Sequence, residues 1–327
     1  TLLGLIALQE ALESAQLSPS EIQQAGLLSA TTTGGIREFE KNFYNLVDLD
    51  RQGDFVQFAD TANPGEHCER IADHIGLKKY IATISTACSS SANAIIHGAQ
   101  LIKNKKLDYA ICGGTEALSK FTVNGFNALM IVDPAHCRPF DASRKGLNLG
   151  EGAAYVVLES EDAIIRKGKV PLAELRGYGN ANDAFHQTAS SPEGIGALNA
   201  MQQALQTAGI APSAVNYINA HGTATENNDL SEGIGIQKLF GEHVPYFSST
   251  KPYTGHTLAA AGSIEAVYSM MALQHRMVWP NLNYAHQMPE LRISPVRDLV
   301  QGIPLKNILS NSFGFGGNTS SLLIGSV

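Results

Sequence analysis

The chain has 327 residues, of which 44% are hydrophobic, so it can bury a large core in one domain or in two fused halves. Its net charge is −7 at pH 7 and its lysines and arginines are scattered, which argues against the basic footprint of a nucleic-acid-binding protein. No apolar run approaches the ~20 residues of a membrane-spanning helix, and no basic segment precedes a hydrophobic stretch as in a signal peptide. We therefore expect neither a nucleic-acid partner nor a membrane span.

The cysteines predict a cytoplasmic location. They lie 20 or more residues apart and form no CxxC pair, a spacing that disfavours both a zinc site and a disulfide framework. Free thiols are typical of a reducing compartment. The four are Cys68, Cys88, Cys112 and Cys137.

A unit at the start of the chain is repeated in its second half. Residues 7–22 (ALQEALESAQLSPSEI) and 200–215 (AMQQALQTAGIAPSAV) match in register at a constant offset of 193 positions. Each copy predicts a helix, a proline-led helical turn and a strand that ends in a threonine-rich loop. Two such copies predict a duplicated α/β fold.

Two further segments recur more loosely. YIATISTACSSSANAII (80–96) corresponds to a segment over 244–273, and this match places Cys88 and His256 at corresponding helix starts. DYAICGGTEAL (108–118) corresponds to NILSNSFGFGGNTSSLLIG (307–325), each a strand followed by a glycine turn. We therefore divide the chain into an N-terminal half over residues 1–160 and a C-terminal half over residues 161–327, at a charged segment near 159–169.

Cys88 stands where a predicted strand gives way to a predicted helix. The N-terminus of a helix offers unpaired N–H groups and a partial positive charge, which favour the nucleophilic thiolate. The alanines and serines around it allow close helix packing and leave space for a substrate. Cys88 is thus a candidate nucleophile, although a lone cysteine after a strand also fits a small core residue.

Two histidines and a glycine-rich segment add to this pattern. His221 follows the apolar strand AVNYI, and His256 follows Lys251 by five positions at a glycine-marked turn. Ligands of α/β proteins bind at the C-terminal ends of the strands. The segment NSFGFGGNTS allows backbone N–H groups to approach a ligand, as an oxyanion hole requires. Each motif alone also fits a structural role, but together they indicate a catalytic site.

The ordered motifs resemble those of the elongating, decarboxylating β-ketoacyl-acyl-carrier-protein synthases, members of the thiolase-fold superfamily, over essentially the whole chain. TACSSS resembles the nucleophile motif, HGTATENND the HGTxT motif, KPYTGHTLAAAGSIEA the KxxxxGH motif and NSFGFGG the C-terminal glycine motif. The resemblance implies a thiolase-like α/β fold with layered helices and sheets (αβαβα). It also implies an acyltransferase of the 3-oxoacyl-acyl-carrier-protein synthase type.

The same resemblance implies roles for individual residues. Cys88 would be acylated, and His221 and His256 would be the catalytic histidines. Lys251 would support His256, with Glu265 as the partner of Lys251. Phe315 would be the gate and would share the oxyanion hole with Cys88.

Further residues are implied at the substrate. Thr223, Thr225 and Thr188, with His186, would line the channel for the pantetheine arm, and Thr33 would line the acyl pocket. An acyl-Cys88 thioester would condense with a malonyl thioester as carbon dioxide leaves, and the histidine N–H groups would stabilise the enolate. Neither a metal nor an organic cofactor is implied. Fatty acid, polyene and polyketide synthases share these motifs, so the acyl chain stays open.

The implied partners are an acyl carrier protein and a second subunit. The carrier protein would dock on a local basic patch, for which Arg51 and Lys120 are candidates. The second subunit would form a homodimer or a heterodimer with a related chain. Members of the family begin with a strand and helices that precede the position of Thr1, so we expect a β–α unit of the first half to be missing.

Alternatives differ at identifiable residues. A thiolase would need a second catalytic cysteine in the late glycine-rich loop, but no cysteine follows Cys137. An initiating synthase would have an asparagine in place of one histidine, which His256 contradicts. The remaining alternative is a noncatalytic partner subunit resembling a chain length factor, a class that usually lacks the cysteine.

Overall fold

The computed structural model describes residues 1–48 and 60–327 as helices packed on several sheets. The helices are α1 (Leu2–Ala15), α2 (Pro19–Gln24), α3 (Ile36–Val47), α4 (Pro64–Ile75), α5 (Ser90–Lys103), α6 (Lys120–Ala128), α7 (Glu161–Lys167), α8 (Ile195–Ala208), α9 (Glu226–Phe240), α10 (Lys251–Thr254) and α11 (Ala261–His275). The strands are β1 (Gly26–Ala30), β2 (Tyr80–Ile84), β3 (Tyr109–Glu116), β4 (Gly152–Glu159), β5 (Glu174–Asn182), β6 (Tyr217–Asn219), β7 (Tyr246–Ser248), β8 (Met277–Val278), β9 (Val300–Gln301), β10 (Asn307–Phe313) and β11 (Asn318–Gly325). Among these helices, none has the length and apolar character needed to span a membrane.

The first sheet has the strand order β2-β1-β3-β4. Strand β1 runs parallel to β2 and β3, whereas β4 is antiparallel to β3. Both β1 and β3 are buried along their whole length. Their sequences therefore show no alternation of polar and apolar residues, as is typical of strands covered on both faces.

The second sheet repeats this topology. Its order is β5-β11-β10-β6-β7, in which β6 runs parallel to β7 and β10, and β11 is antiparallel to β10. The strands β7, β6, β10 and β11 thus match β2, β1, β3 and β4 in order and direction. Strand β5 adds a fifth, antiparallel strand that has no counterpart beside β4 among the described residues. The predicted duplication of an α/β unit is confirmed.

Helices cover both sheets and fill the space between them. Helices α1 and α4 pack on the outer face of the first sheet around Leu8 and Ile71. Helices α5 and α11 lie between the sheets, where Ala92 and Ala266 join one core with residues of both. Helices α8 and α9 cover the outer face of the second sheet around Met201. The layer order is therefore αβαβα, as predicted.

The two central helices touch at their first turns. A Cβ atom at Gly262 would lie 2.8 Å from the backbone nitrogen of Ala92, so any larger residue would push the helices apart. The backbone N–H of Ser263 donates to Ser91 Oγ over 2.9 Å. This contact brings the N-terminal ends of both helices, and the loops that precede them, to one place between the halves.

The loops before these helices place Cys88 and His256 at matching positions. Cys88 lies two residues before α5, and His256 lies two residues before a 3₁₀ turn over Leu258–Ala260 that leads directly into α11. Both residues therefore stand just before a helical segment, as the match between the two halves predicted. One difference is the short helix α10, which Gly255, with a φ of 72°, ends before His256.

Candidate active site

One cavity brings the predicted catalytic side chains together. It has a volume of about 360 Å³, and Cys88, His221, His256 and Phe315 all contribute to its wall. The apolar part of the wall is formed by Phe126, Met130, Ile131, Leu147 and Phe313. The cavity therefore has space for a substrate beside the thiol, as the small residues around Cys88 predicted.

The loop between β2 and α5 holds Cys88 in a tight turn. Ala87 adopts a φ of 52°, a left-handed conformation that costs energy for a residue with a side chain. The hydroxyl of Ser90 accepts a hydrogen bond from the backbone N–H of Thr86 over 2.8 Å, and Ser89 Oγ donates to the Thr86 carbonyl over 2.7 Å. These serines fix the turn, so the thiol is presented to the cavity in one orientation.

The acidity of Cys88 differs from the sequence-based expectation. Burial raises the pKa of the Cys88 thiol to about 12, and the carboxylates of Glu116 and Glu265 act in the same direction. The Lys251 ammonium and the backbone N–H of Phe315 lower that pKa, but by less. Burial therefore opposes the thiolate that the helix start was predicted to favour. Cys88 is a buried thiol at neutral pH.

His221 lies two residues after β6, in a turn that a buried carboxylate holds. Glu232 on α9 accepts the backbone N–H groups of His221 and Gly222 over 2.9 and 2.8 Å. A Cβ atom at Gly222 would lie 2.6 Å from the Ser249 side chain, so this turn needs glycine. Burial raises the pKa of Glu232 to about 7, although the three hydrogen bonds it accepts, including one from Asn311, lower it. Sequence reasoning missed Glu232, whose one signal is its place in the helix that follows HGTAT.

Two backbone hydrogen bonds hold His256 in position. Its N–H donates to the carbonyl of Asn148 over 2.7 Å, and its own carbonyl accepts from Gly150 over 3.0 Å. The imidazole rings of His221 and His256 lie 5.4 Å apart and nearly perpendicular. Within the described part of the chain, His256 Nδ1 has no hydrogen-bond partner although it is buried. Burial and the Lys251 charge lower the pKa of both histidines well below the usual value, so both are neutral.

Lys251 supports the other histidine. Its ammonium lies 3.2 Å from Nδ1 of His221 and 2.5 Å from Oε1 of Glu265, and both side chains of this ion pair are almost completely buried. Lys251 was predicted to support His256, whereas among the described residues its hydrogen bond to a histidine goes to His221. An ammonium can only donate, so Nδ1 of His221 accepts and the ring proton lies on Nε2.

The glycine-rich turn over residues 314–317 contacts the nucleophile loop, which is the loop between β2 and α5 that contains Cys88. A Cβ atom at Gly314 would lie 2.7 Å from the Thr86 carbonyl and 3.2 Å from the backbone nitrogen of Cys88. Phe315 follows in a 3₁₀ turn, and its ring stacks on Phe126 of α6 at a centroid distance of 5.7 Å. The glycine thus allows the backbones of Phe315 and Cys88 to approach each other closely.

Of the four threonines predicted to contact the substrate, three line the cavity and the fourth is bound elsewhere. Thr188, Thr223 and Thr225 all line the cavity, and His186 Nδ1 accepts a hydrogen bond from the Thr188 backbone over 3.1 Å. Thr33 is not among the residues described on this cavity. Its hydroxyl donates over 3.0 Å to Glu116, a buried carboxylate that also binds Thr31 and Thr32.

Comparisons with known proteins identify the family of this chain. Residues 1–163 match the family model of the beta-ketoacyl synthase N-terminal domain, and residues 172–285 match that of the beta-ketoacyl synthase C-terminal domain. The chain belongs to the β-ketoacyl synthase family. The resemblance noted in the motifs is confirmed.

Individual relatives support this family assignment. This β-ketoacyl synthase is 34% identical to 3-oxoacyl-[acyl-carrier-protein] synthase 2 of Staphylococcus aureus (strain COL), over 98% of this chain and 80% of the relative. A ketosynthase in complex with its chain length factor from Xenorhabdus doucetiae is 34% identical, with a TM-score of 0.82 over 98% of this chain and 77% of that one. A type II polyketide acyl carrier protein in complex with its ketosynthase, bound to a hexaketide, matches with a TM-score of 0.94, 28% identity and coverage of 100% and 84%. The β-ketoacyl synthase is thus an acyltransferase of the ketosynthase type that acts in chain elongation.

Proposed function

We propose that the chain catalyses decarboxylative condensation between an acyl group on Cys88 and a malonyl group on an acyl carrier protein. The observation that supports this assignment most strongly is that Cys88, His221 and His256 share one cavity. Both imidazoles are neutral there, so they act as N–H donors rather than as charged acids.

The first step is transfer of the acyl group. The Cys88 sulfur attacks the thioester carbonyl, the bond to the pantetheine sulfur breaks, and the proton lost by Cys88 ends on the leaving thiol. The tetrahedral oxyanion accepts hydrogen bonds from the backbone N–H groups of Cys88 and Phe315. Since the thiol is neutral in the free protein, its deprotonation belongs to this step rather than to a resting thiolate.

The second step forms the carbanion. The malonyl thioester loses carbon dioxide, and the electron pair of the broken C–C bond moves into an enolate whose oxygen accepts from His221 Nε2–H and from the ring N–H of His256. The enolate carbon then attacks the acyl-Cys88 carbonyl. The C–S bond breaks, a 3-oxoacyl thioester leaves on the carrier protein, and the Cys88 thiolate takes up a proton from solvent water.

The pantetheine arm of the carrier protein would enter past the threonines. Thr188, Thr223 and Thr225 offer hydroxyl groups along the cavity wall, which suits the amides of that arm. Lys120 is exposed at the start of α6 and stays a candidate for carrier-protein docking. The other candidate, Arg51, lies outside the described residues.

A second subunit would pair along β2. This strand is an edge of the first sheet, its sequence YIATI contains no charge, and the side chain of Ile81 is 40% exposed. Uncharged edge strands are templates for pairing with another chain. We propose a dimer of this kind. Its partner is either a second copy or a related subunit, as in the ketosynthase and chain length factor complex.

A noncatalytic subunit is the weaker alternative, because the thiol and both histidines are present on the cavity. The division at residue 160, the cytoplasmic location and the lack of a cofactor stay predictions.

Intact-mass measurement tests the proposed function. The protein is incubated with carrier proteins loaded with acyl chains of different length and unsaturation, beside Cys88→Ala and, as a matched control, Cys137→Ala. We expect an acyl adduct on the wild type and on Cys137→Ala but not on Cys88→Ala. An adduct that persists on folded Cys88→Ala, or a wild type that accepts no chain, would refute the assignment.

A further inference from the structure

Asn318 joins the glycine-rich turn to the nucleophile loop. It follows Gly317 directly and begins β11. Its backbone carbonyl accepts the N–H of Gly314 over 2.7 Å, which closes the turn around Phe315. Its side-chain Oδ1 accepts a hydrogen bond of 2.6 Å from the hydroxyl of Ser89, the residue after Cys88. One residue is therefore bonded to both segments.

Two other asparagines fix the position of that oxygen. Asn93 on α5 donates through Nδ2 to Asn318 Oδ1 over 2.9 Å and to Thr86 Oγ1 over 2.8 Å. Asn180 on β5 donates to the same Asn318 oxygen over 3.3 Å and to Asn93 Oδ1 over 2.7 Å. The Asn318 oxygen thus accepts from the nucleophile loop, a central helix and a strand of the second sheet. Such a shared acceptor has little freedom to move.

Ser89 transmits this constraint to Cys88. Its side chain is completely buried, and its single hydroxyl proton is shared between Asn318 Oδ1 and the Thr86 carbonyl, over 2.6 and 2.7 Å. That carbonyl is also the atom nearest to where a Cβ atom at Gly314 would lie, so any larger residue there would push the two segments apart. The relative position of the two backbone segments is therefore set on one side by the contact at Gly314 and on the other by the Ser89–Asn318 hydrogen bond.

We propose that Asn318 is a positioning residue that sets the spacing between the backbone N–H groups of Cys88 and Phe315. The inference rests on the proposed function, in which these two groups bind the oxyanion. Asn318 is not among the residues that line the cavity, so it acts through the two segments rather than on the substrate. Oxyanion donors contribute only when they are held where the charge develops. Loss of Asn318 should therefore impair acyl transfer and spare decarboxylation, which uses the histidines.

Three rates measured side by side test this inference: acylation of Cys88, carbon dioxide release from malonyl-carrier protein without an acyl primer, and alkylation of Cys88 by iodoacetamide. Asn318→Leu removes the acceptor at similar size, whereas Asn318→Asp keeps an acceptor oxygen. Asn216→Leu is the matched control, since Asn216 also joins two chain segments but accepts from Lys306 and Asn307 away from the cavity.

We expect Asn318→Leu to slow acylation by roughly ten- to a hundredfold, because oxyanion donors displaced by a fraction of an ångström lose most of their effect. Carbon dioxide release should stay within about twofold, because it does not need the paired N–H groups, and alkylation should fall less than acylation, because the Phe315 N–H is one of several groups that act on the pKa of Cys88. Asn318→Asp should recover at least part of the acylation rate, and Asn216→Leu should change no rate selectively. If Asn318→Leu does not fold, Ser89→Ala removes the same hydrogen bond, together with the one to the Thr86 carbonyl, and should slow acylation while carbon dioxide release is retained.

Wild-type acylation in the folded Asn318 or Ser89 variant would overturn the inference, as would a parallel loss of all three rates. A wild type that is never acylated at Cys88 would instead refute the proposed function.

Discussion

The ammonium of Lys251 lies 3.2 Å from Nδ1 of His221, deep inside the protein. This contact fixes the proton of His221 on Nε2. An ammonium has no lone pair and cannot accept a hydrogen bond from Nδ1–H, so Nδ1 must be the acceptor. The Glu265 carboxylate, 2.5 Å from the same ammonium, keeps the lysine in place. The pair thus sets the tautomer of His221 that can donate to an enolate.

Replacement of Lys251 should separate stability from catalysis. Lys251→Met leaves Glu265 buried without its cation, so we expect a loss of about 3–5 kcal/mol in the free energy of unfolding. The double variant Lys251→Met/Glu265→Gln removes both charges and should recover most of that stability. Its decarboxylation should still fall by roughly a hundredfold, because nothing then selects the donor tautomer of His221.

Urea unfolding and carbon dioxide release measure the two effects. The single variant Glu265→Gln is the control, since it retains the lysine beside His221. A double variant that is stable and decarboxylates at the wild-type rate would show that Lys251 does not orient His221.

The pH dependence of Cys88 alkylation follows from its raised pKa. With the folded-state pKa at about 12, the thiolate fraction at pH 7 is very small and grows with every step in pH. The rate of labelling by iodoacetamide should therefore rise about tenfold per pH unit from pH 7 to pH 10. Mass spectrometry of digested samples assigns the label, with Cys88→Ala as the blank. A labelling rate that levels off by pH 8 would show that the site lowers the pKa of Cys88 after all.

The aromatic contact of Phe315 gives a prediction for the gate. Phe315→Ala removes the ring that stacks on Phe126 but keeps the backbone N–H. We expect acyl transfer to slow by roughly tenfold, because the turn is no longer held in one position. Thermal unfolding should change little, since the Phe315 side chain is only half-buried. Unchanged acylation in the folded variant would remove the ring from the mechanism.

The sequence predicted the repeated fold because local patterns decide it. The helix and proline-led turn over residues 7–22 recur at a constant offset over residues 200–215, and each copy must fold into the same unit. The convergence of Cys88 and His256 could be predicted for the same reason, since equivalent loops of two packed units meet at their interface.

Three features of the site depend on contacts that sequence spacing does not reveal. Lys251 binds His221, thirty positions earlier in the chain, rather than the nearby His256. The pKa of Cys88 depends on how completely the second half covers the thiol, which no local pattern records. The hydroxyl of Thr33 binds Glu116, more than eighty positions away, a contact that no local pattern predicts.

The division of labour between the thiol and the imidazoles is the central claim, and carbon dioxide release from malonyl-carrier protein tests it most directly. The measurement compares Cys88→Ala with His256→Ala, with folding checked by circular dichroism and acyl-enzyme mass recorded for both. We expect Cys88→Ala to abolish condensation yet release carbon dioxide, because decarboxylation needs donors and no nucleophile. His256→Ala should release it at least roughly a hundredfold more slowly, the loss typical of one oxyanion donor, while Cys88 still accepts some acyl group. If folded Cys88→Ala loses decarboxylation as completely as His256→Ala does, the thiol takes part in that step and the account is wrong.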